Sequence, residues 1–241
     1  MIKLNEKHHA SIVLGFYKAL AEKGKQGLDV FVRAAQFYGE ERGRRMALRA
    51  LRDGHPLDYV SYFAYGEWES TPGFYDVTMT PRPGVVDEQI RRCPWADVFR
   101  AADFTACGTA YCREIDRAIV CGFNPALLLE TAQTQHDTDR CKFYFRADDI
   151  TPSLFEEGEK RLEHAQGPVT LPFHYHCGHV WAVFCRVTKD VYGDDALEKR
   201  VRAEFAECWG EQAAAVLDAY RRVDFNRPPQ DTEIWKEEKT R

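Results

Sequence analysis

The sequence predicts an α+β fold in which a small, mainly antiparallel sheet of about four strands packs with N- and C-terminal helices. Three observations carry this. Apolar residues recur at helical spacing at both ends of the chain, the middle holds short alternating runs bounded by turn residues, and no Gly-, Ser- or Pro-rich linker separates the two textures. A single α+β domain is expected over residues 1–241, with a helical scaffold at 1–70, a sheet and site core at 71–190, a C-terminal helix at 191–227 and a polar tail at 228–241.

The elements follow in order. Ile12, Phe16, Tyr17 and Leu20 mark an amphipathic helix over 8–22, and Val30, Phe31, Ala34, Phe37 and Tyr38 mark a second over 27–51. Asp53-Gly54-His55-Pro56 ends it, and a shorter aromatic helix is expected over 57–70. Residues 74–80 alternate as a strand, Pro81-Arg82-Pro83-Gly84 turns, and 85–93 returns. Cys93-Pro94-Trp95 opens a helix, because proline at the first helical position gives up an N–H that has no partner anyway. One helix is expected over 104–122, ending at Gly122-Phe123-Asn124-Pro125. Strands at 127–133 and 141–146 read as a hairpin around a polar turn with Asp137 and Asp139. A helix over 153–165 precedes Gly167-Pro168. Phe173, Cys177, Val180, Phe184, Val187 and Val191 then form a helical stripe, and a single last helix is expected over 196–222.

Composition narrows the function. The N-terminus lacks the basic start, apolar core and cleavage site of a signal peptide, and no apolar run approaches the roughly 18 residues of a membrane span, so a cytoplasmic location is expected. A net charge of −5 with both signs interspersed gives no nucleic-acid footprint. The expected partner is a small-molecule substrate, with no nucleic acid and no membrane; a homo-oligomer stays open. All eight cysteines lie after residue 92 and none forms a CxxC pair, which argues against zinc ribbons, thioredoxin-like centres and the usual iron–sulfur spacing. Cys121, Cys185 and Cys208 sit among apolar neighbours and read as core filler. Gly-rich phosphate loops, GxSxG and HExxH are missing from the sequence, which lowers phosphoryl transfer, nicotinamide chemistry, serine hydrolysis and zinc proteolysis.

Two constellations remain. Phe173-His174-Tyr175-His176-Cys177-Gly178-His179 holds three of the eight histidines and one of the eight cysteines. On a helix, His176 and His179 project onto one face and could serve as base and acid, or, with His174, hold a divalent metal such as zinc or manganese. No cofactor is required by the sequence. The same pattern fits histidines that flank an apolar stripe and bond to backbone. The second constellation is Cys112 and Asp116, four residues apart on the expected 104–122 helix. A thiolate needs a base, so a histidine from 174–179 would complete a Cys/His/Asp arrangement, whereas a packed Cys112 with Asp116 in a surface ion pair is the plainer alternative. Cys93, at a helix N-terminus, is an alternative nucleophile; Cys141 fits a ligand, a nucleophile or packing; and Asn124 fits a substrate contact or a turn.

Cys93-Pro94-Trp95, Tyr111-Cys112-x-x-Ile115-Asp116, Gly122-Phe123-Asn124-Pro125, Asp139-x-Cys141-x-Phe143-x-Phe145 and the 173–179 segment, taken in order, resemble the L-2-amino-thiazoline-4-carboxylic acid hydrolase family over residues 90–190. The resemblance implies a hydrolase of non-peptide carbon–nitrogen bonds acting on a small cyclic amidine, thiazoline-carboxylate or related heterocycle. It would place Cys112, Asp116, His176 and His179 in catalysis and Asn124, Cys93, Trp95, Tyr111 and Cys141 around the substrate. Two other classes compete: a non-catalytic small-molecule or metal sensor, and a redox protein using Cys112 and Cys141.

Overall fold

The structure is a computed structural model in which residues 2–234 are described; residues 235–241 of the expected polar tail lie outside them. The α+β class holds. Helices α1 (Glu6–Ala21), α2 (Gly24–Arg52) and α3 (Tyr59–Ala64) precede strands β1 (Asp76–Arg82) and β2 (Val85–Arg92). Then come α4 (Pro94–Ala101), α5 (Thr105–Cys112), α6 (Ile115–Phe123), β3 (Leu128–Gln133), β4 (Cys141–Arg146), α7 (Leu154–Leu162), α8 (Phe173–Tyr192), α9 (Ala196–Trp209) and α10 (Glu211–Tyr220). The four strands form one antiparallel sheet in the order β1-β2-β4-β3.

The departures from the sequence reading have physical causes. Strand β1 runs through Pro81 and Arg82, which a prolyl residue tolerates because β1 is an edge strand, and the turn shrinks to Pro83-Gly84 with Gly84 at φ +78°. The last helix is two, because Gly210 at φ +87° separates α9 from α10 in a conformation that favours glycine. The expected 104–122 helix also divides, at Arg113-Glu114. The second half is fixed by its fit on α2: a Cβ on Gly39 would crowd Ala118, one on Gly43 would overlap Ile119 O, and one on Gly122 would overlap Glu40 O. Backbone meets backbone along this seam, so α6 takes its direction from α2 and leaves α5 to turn away.

Helix α8 lies at the centre of the helical half, touching α1, α2, α9 and α10. It is buried around nearly its whole circumference, with Trp181, Val180, Phe184 and Tyr175 at zero exposure, as expected of a helix inside a core. Val191 is the exception to its stripe and is exposed. Of the cysteines read as filler, only Cys185 is buried; Cys121 and Cys208 are exposed. No helix among the described residues is long and apolar enough to cross a membrane.

Candidate active site

A cavity of about 440 Å³ opens between the inner face of the sheet and helices α2, α5 and α6, a size suited to a small molecule. The sheet supplies two cross-strand rows. Val77, Ile90 and Cys141 are register partners in one, and Met79, Glu88 and Phe143 in the next; all six line the cavity. Alternation of side chains along β2 thus delivers a carboxyl group, Glu88, to a face otherwise apolar, between Val86 and Ile90. Opposite lie Cys112 at the end of α5 and Asp116 in the first turn of α6, beside Arg42 from α2.

Cys93, Trp95, Tyr111, Cys112, Asp116 and Cys141, which the family resemblance grouped around a substrate, share one cavity. The break at Arg113-Glu114 means that Cys112 and Asp116 are not stacked on one helix. They meet because both helix ends open on the same space.

The imidazole beside Cys112 comes from a segment the sequence reading passed over. His136, in the turn between β3 and β4, sets Nε2 3.3 Å from Cys112 Sγ. The same turn gives Cys141 Sγ a hydrogen bond from Gln135 N at 3.3 Å. His136 can approach only because residue 108 is glycine: a Cβ there would overlap the imidazole ring. Thr134 Oγ1 donates to Asp137 at 2.9 Å, and Asp137 also pairs with Arg113 at the α5–α6 break. No sequence spacing points to His136, which lies 24 residues from Cys112. The Val86-x-Glu88-x-Ile90 alternation could have pointed to Glu88.

Burial dominates the electrostatics. It pushes the Cys112 thiol well up, with Cys93, Asp116 and Cys141 adding to the effect. Burial likewise raises Cys93 to about 12, against the pull of the Ala96 and Trp95 amides at the start of α4, and Cys141 to about 11. His136 is lowered, chiefly by burial, so the Cys112–His136 pair rests as neutral thiol and neutral imidazole. Burial raises Asp116 to about 6, with Arg42 opposing it. It raises Glu88 to about 8, with Asp116 adding to the rise. At neutral pH the cavity thus carries an ionised carboxylate and a protonated one.

The structure does not bring His174, His176, His179 or Asn124 to this cavity. His174 Nδ1 bonds Tyr220 Oη at 2.7 Å. His176 Nε2 donates to the Glu67 carbonyl at 3.2 Å, and the ring packs on Trp68. His179 Nε2 contacts Glu41 at 3.0 Å, while its Nδ1 accepts from Arg45. The rings of His176 and His179 are driven well below the usual imidazole range, first by burial and then by nearby arginines. Their physical setting is the first two turns of α8, with a different partner for each. Among the described residues no group of three or more His, Cys, Asp or Glu side chains is placed to hold a metal ion. Asn124 closes α6: its amide donates to Leu57 O at 2.7 Å and its carbonyl accepts from Ala126 N at 3.0 Å.

No curated protein and no solved structure matches the chain. The profile of one family, L-2-amino-thiazoline-4-carboxylic acid hydrolase, matches residues 5–145. That stretch contains every residue lining the cavity and ends before α8, so the 173–179 segment adds nothing to the match. The chain belongs to the L-2-amino-thiazoline-4-carboxylic acid hydrolase family.

Proposed function

We propose that this protein hydrolyses a carbon–nitrogen bond of a small cyclic amidine of the thiazoline-carboxylate type, and that the cavity between sheet and helices is where it does so. The observation that carries the reading is the collection, around one space, of a thiol held against an imidazole and of two carboxyl groups whose environments set them on opposite sides of neutrality. An amidine needs a nucleophile at its carbon and a proton for the departing nitrogen.

In this mechanism Cys112 Sγ attacks the amidine carbon while His136 Nε2 takes the thiol proton; the pair is at hydrogen-bond distance. Glu88, protonated at neutral pH, gives its proton to the nitrogen as the carbon–nitrogen bond breaks. Asp116, ionised, pairs with the amidine while it is bound and then takes a proton from the water that attacks the Sγ–carbon adduct. Release of the product returns the electron pair to Sγ, which recovers its proton from His136, and the proton that Asp116 took from water passes on to Glu88, so that both carboxyl groups regain their starting states. The apolar faces of Ile90, Phe143 and Trp95 keep bulk water from the reacting carbon.

A second reading rests on the burial that holds Cys112 protonated. Here water attacks directly, with Asp116 as base and Glu88 as acid, and Cys112 is a wall. Turnover of 2-amino-thiazoline-4-carboxylate, followed by mass spectrometry as the gain of one water, tests the activity. Intact-mass analysis of a quenched reaction separates the two routes. An adduct on wild type that is lost in Cys112→Ala supports the covalent route, and Cys112→Ala retaining most of the turnover overturns it. Binding without turnover would sink both in favour of a sensor.

A further inference from the structure

Three guanidinium groups meet a single carboxylate where α2 passes Glu67. Arg45 satisfies it directly, with Nε at 3.1 Å from Oε1 and an Nη at 2.8 Å from Oε2, and spends its remaining donors on Phe225 O and His179. Arg49 reaches Glu67 at 3.0 Å and Val169 O at 3.1 Å. Arg49 Nη2 is buried without a hydrogen-bond partner, as is one nitrogen of Arg42, but of the three only Arg42 lines the cavity. Its Nε stands 3.6 Å from Glu67, beyond hydrogen-bond distance, and is buried without a hydrogen-bond partner.

Arg42 is only 8% exposed, and it lines the cavity with its guanidinium held 4.4 Å over the Trp68 ring. A buried guanidinium without matched acceptors is costly, and one carboxylate cannot balance three of them. The remaining positive charge faces the cavity at Arg42, where the Asp116 carboxylate offsets part of it. A planar fork fixed by stacking suits the two oxygens of a carboxylate.

We propose that Arg42 binds the carboxylate of the substrate, so that the protein selects cyclic amidines bearing a carboxylate over the same rings without one. The assignment rests on the reading of this cavity as the hydrolytic site, and it gives that site a direction. The acid end of the substrate lies at Arg42 and the amidine end toward Asp116 and Glu88. The charges of the wall, one cation and one ionised carboxylate, then mirror those of an amidinium carboxylate.

Titration calorimetry with thiazolidine-4-carboxylate and its carboxamide, saturated rings that cannot be turned over as amidines, measures the anchor without the chemistry. Wild type is expected to bind the acid at least about tenfold more tightly than the amide. Arg42→Gln is expected to reduce that preference to about threefold or less, and Arg42→Lys to keep part of it, because a point charge replaces the fork. Equal binding of acid and amide by wild type overturns the proposal even if both variants fail to fold. An unchanged preference in a folded Arg42→Gln overturns it as well. An Arg42-dependent preference for the acid, with no turnover of 2-amino-thiazoline-4-carboxylate, supports the anchor and removes the hydrolase reading. Equal kcat/KM for the thiazoline with and without its carboxylate keeps the hydrolase and removes the anchor.

Discussion

The first two turns of α8 and the wall of the cavity are both rich in reactive side chains, and both are buried, yet they are built to opposite ends. Around α8 the groups answer one another: His179 lies between Glu41 and Arg45, Arg45 between Glu67 and Phe225 O, and His174 against Tyr220. In the cavity wall, Asp116, Glu88, Arg42 and Cys112 face a shared space. Burial raises the cost of a charge in both places. In the first the protein meets much of that cost with its own atoms, His176 Nδ1 and Tyr175 Oη being left without a hydrogen-bond partner; in the second a ligand could supply the partners. Density of reactive side chains is common to both regions, whereas density beside unfilled space belongs to the cavity wall, on which the proposed function rests.

The sharpest way to break this contrast is to mutate one group from each side. Cys112→Ala and Asp116→Asn are each expected to lower kcat/KM by about 10²- to 10⁴-fold, with a melting temperature near that of wild type. Steady-state kinetics beside thermal melts would expose a purely structural role for either residue. Glu67→Gln should do the reverse. By leaving Arg45, Arg49 and Arg42 without their shared carboxylate, it is expected to cost about 3–5 kcal/mol in urea denaturation. Smaller in size, His179→Ala should cost about 1–3 kcal/mol by stripping a partner from Glu41 and Arg45. If His179→Ala proves stable but inactive, the division between the two regions collapses.

Two further tests sharpen the cavity side. Activity is expected to follow a bell in pH. Asp116 must be ionised, so kcat/KM falls as pH drops through about 6. Glu88 must be protonated, so it falls again as pH rises through about 8. The two limbs belong to the coupled pair, and Glu88→Gln should flatten the upper one. The mildest change is Gly108→Ala. Its methyl group would push the His136 ring off Cys112, and we expect a loss of about tenfold in kcat/KM with the fold intact.

The amino-acid pattern revealed the terminal helices, the two hairpins and the proline-started helix after Cys93, because each depends on local spacing. It also singled out Cys93, Trp95, Tyr111, Cys112, Asp116 and Cys141, which the family resemblance grouped around one substrate, though not the cavity that they line. What it missed depends on contacts distant in the chain. His136 reaches Cys112 only through the register of β4 and the space above Gly108, and Glu67 gathers its arginines from a helix that precedes it by a turn and a second short helix. The 173–179 segment attracted attention by its composition and by the three-residue step from His176 to His179, and neither reveals that nearly every side of α8 is covered.

The glycine seam between α2 and α6 has a consequence for selectivity. Arg42 sits beside Gly43 on one helix and Asp116 begins the other, and the two backbones are in contact at Gly39, Gly43 and Gly122. Helices joined at that range cannot slide without collision, so main-chain contact fixes the spacing of the two backbones from which Arg42 and Asp116 reach into the cavity. The pocket then works as a gauge of fixed length. A ring enlarged by one methylene would have to surrender contact at one end, and should be rejected for its dimensions even though its charges are right.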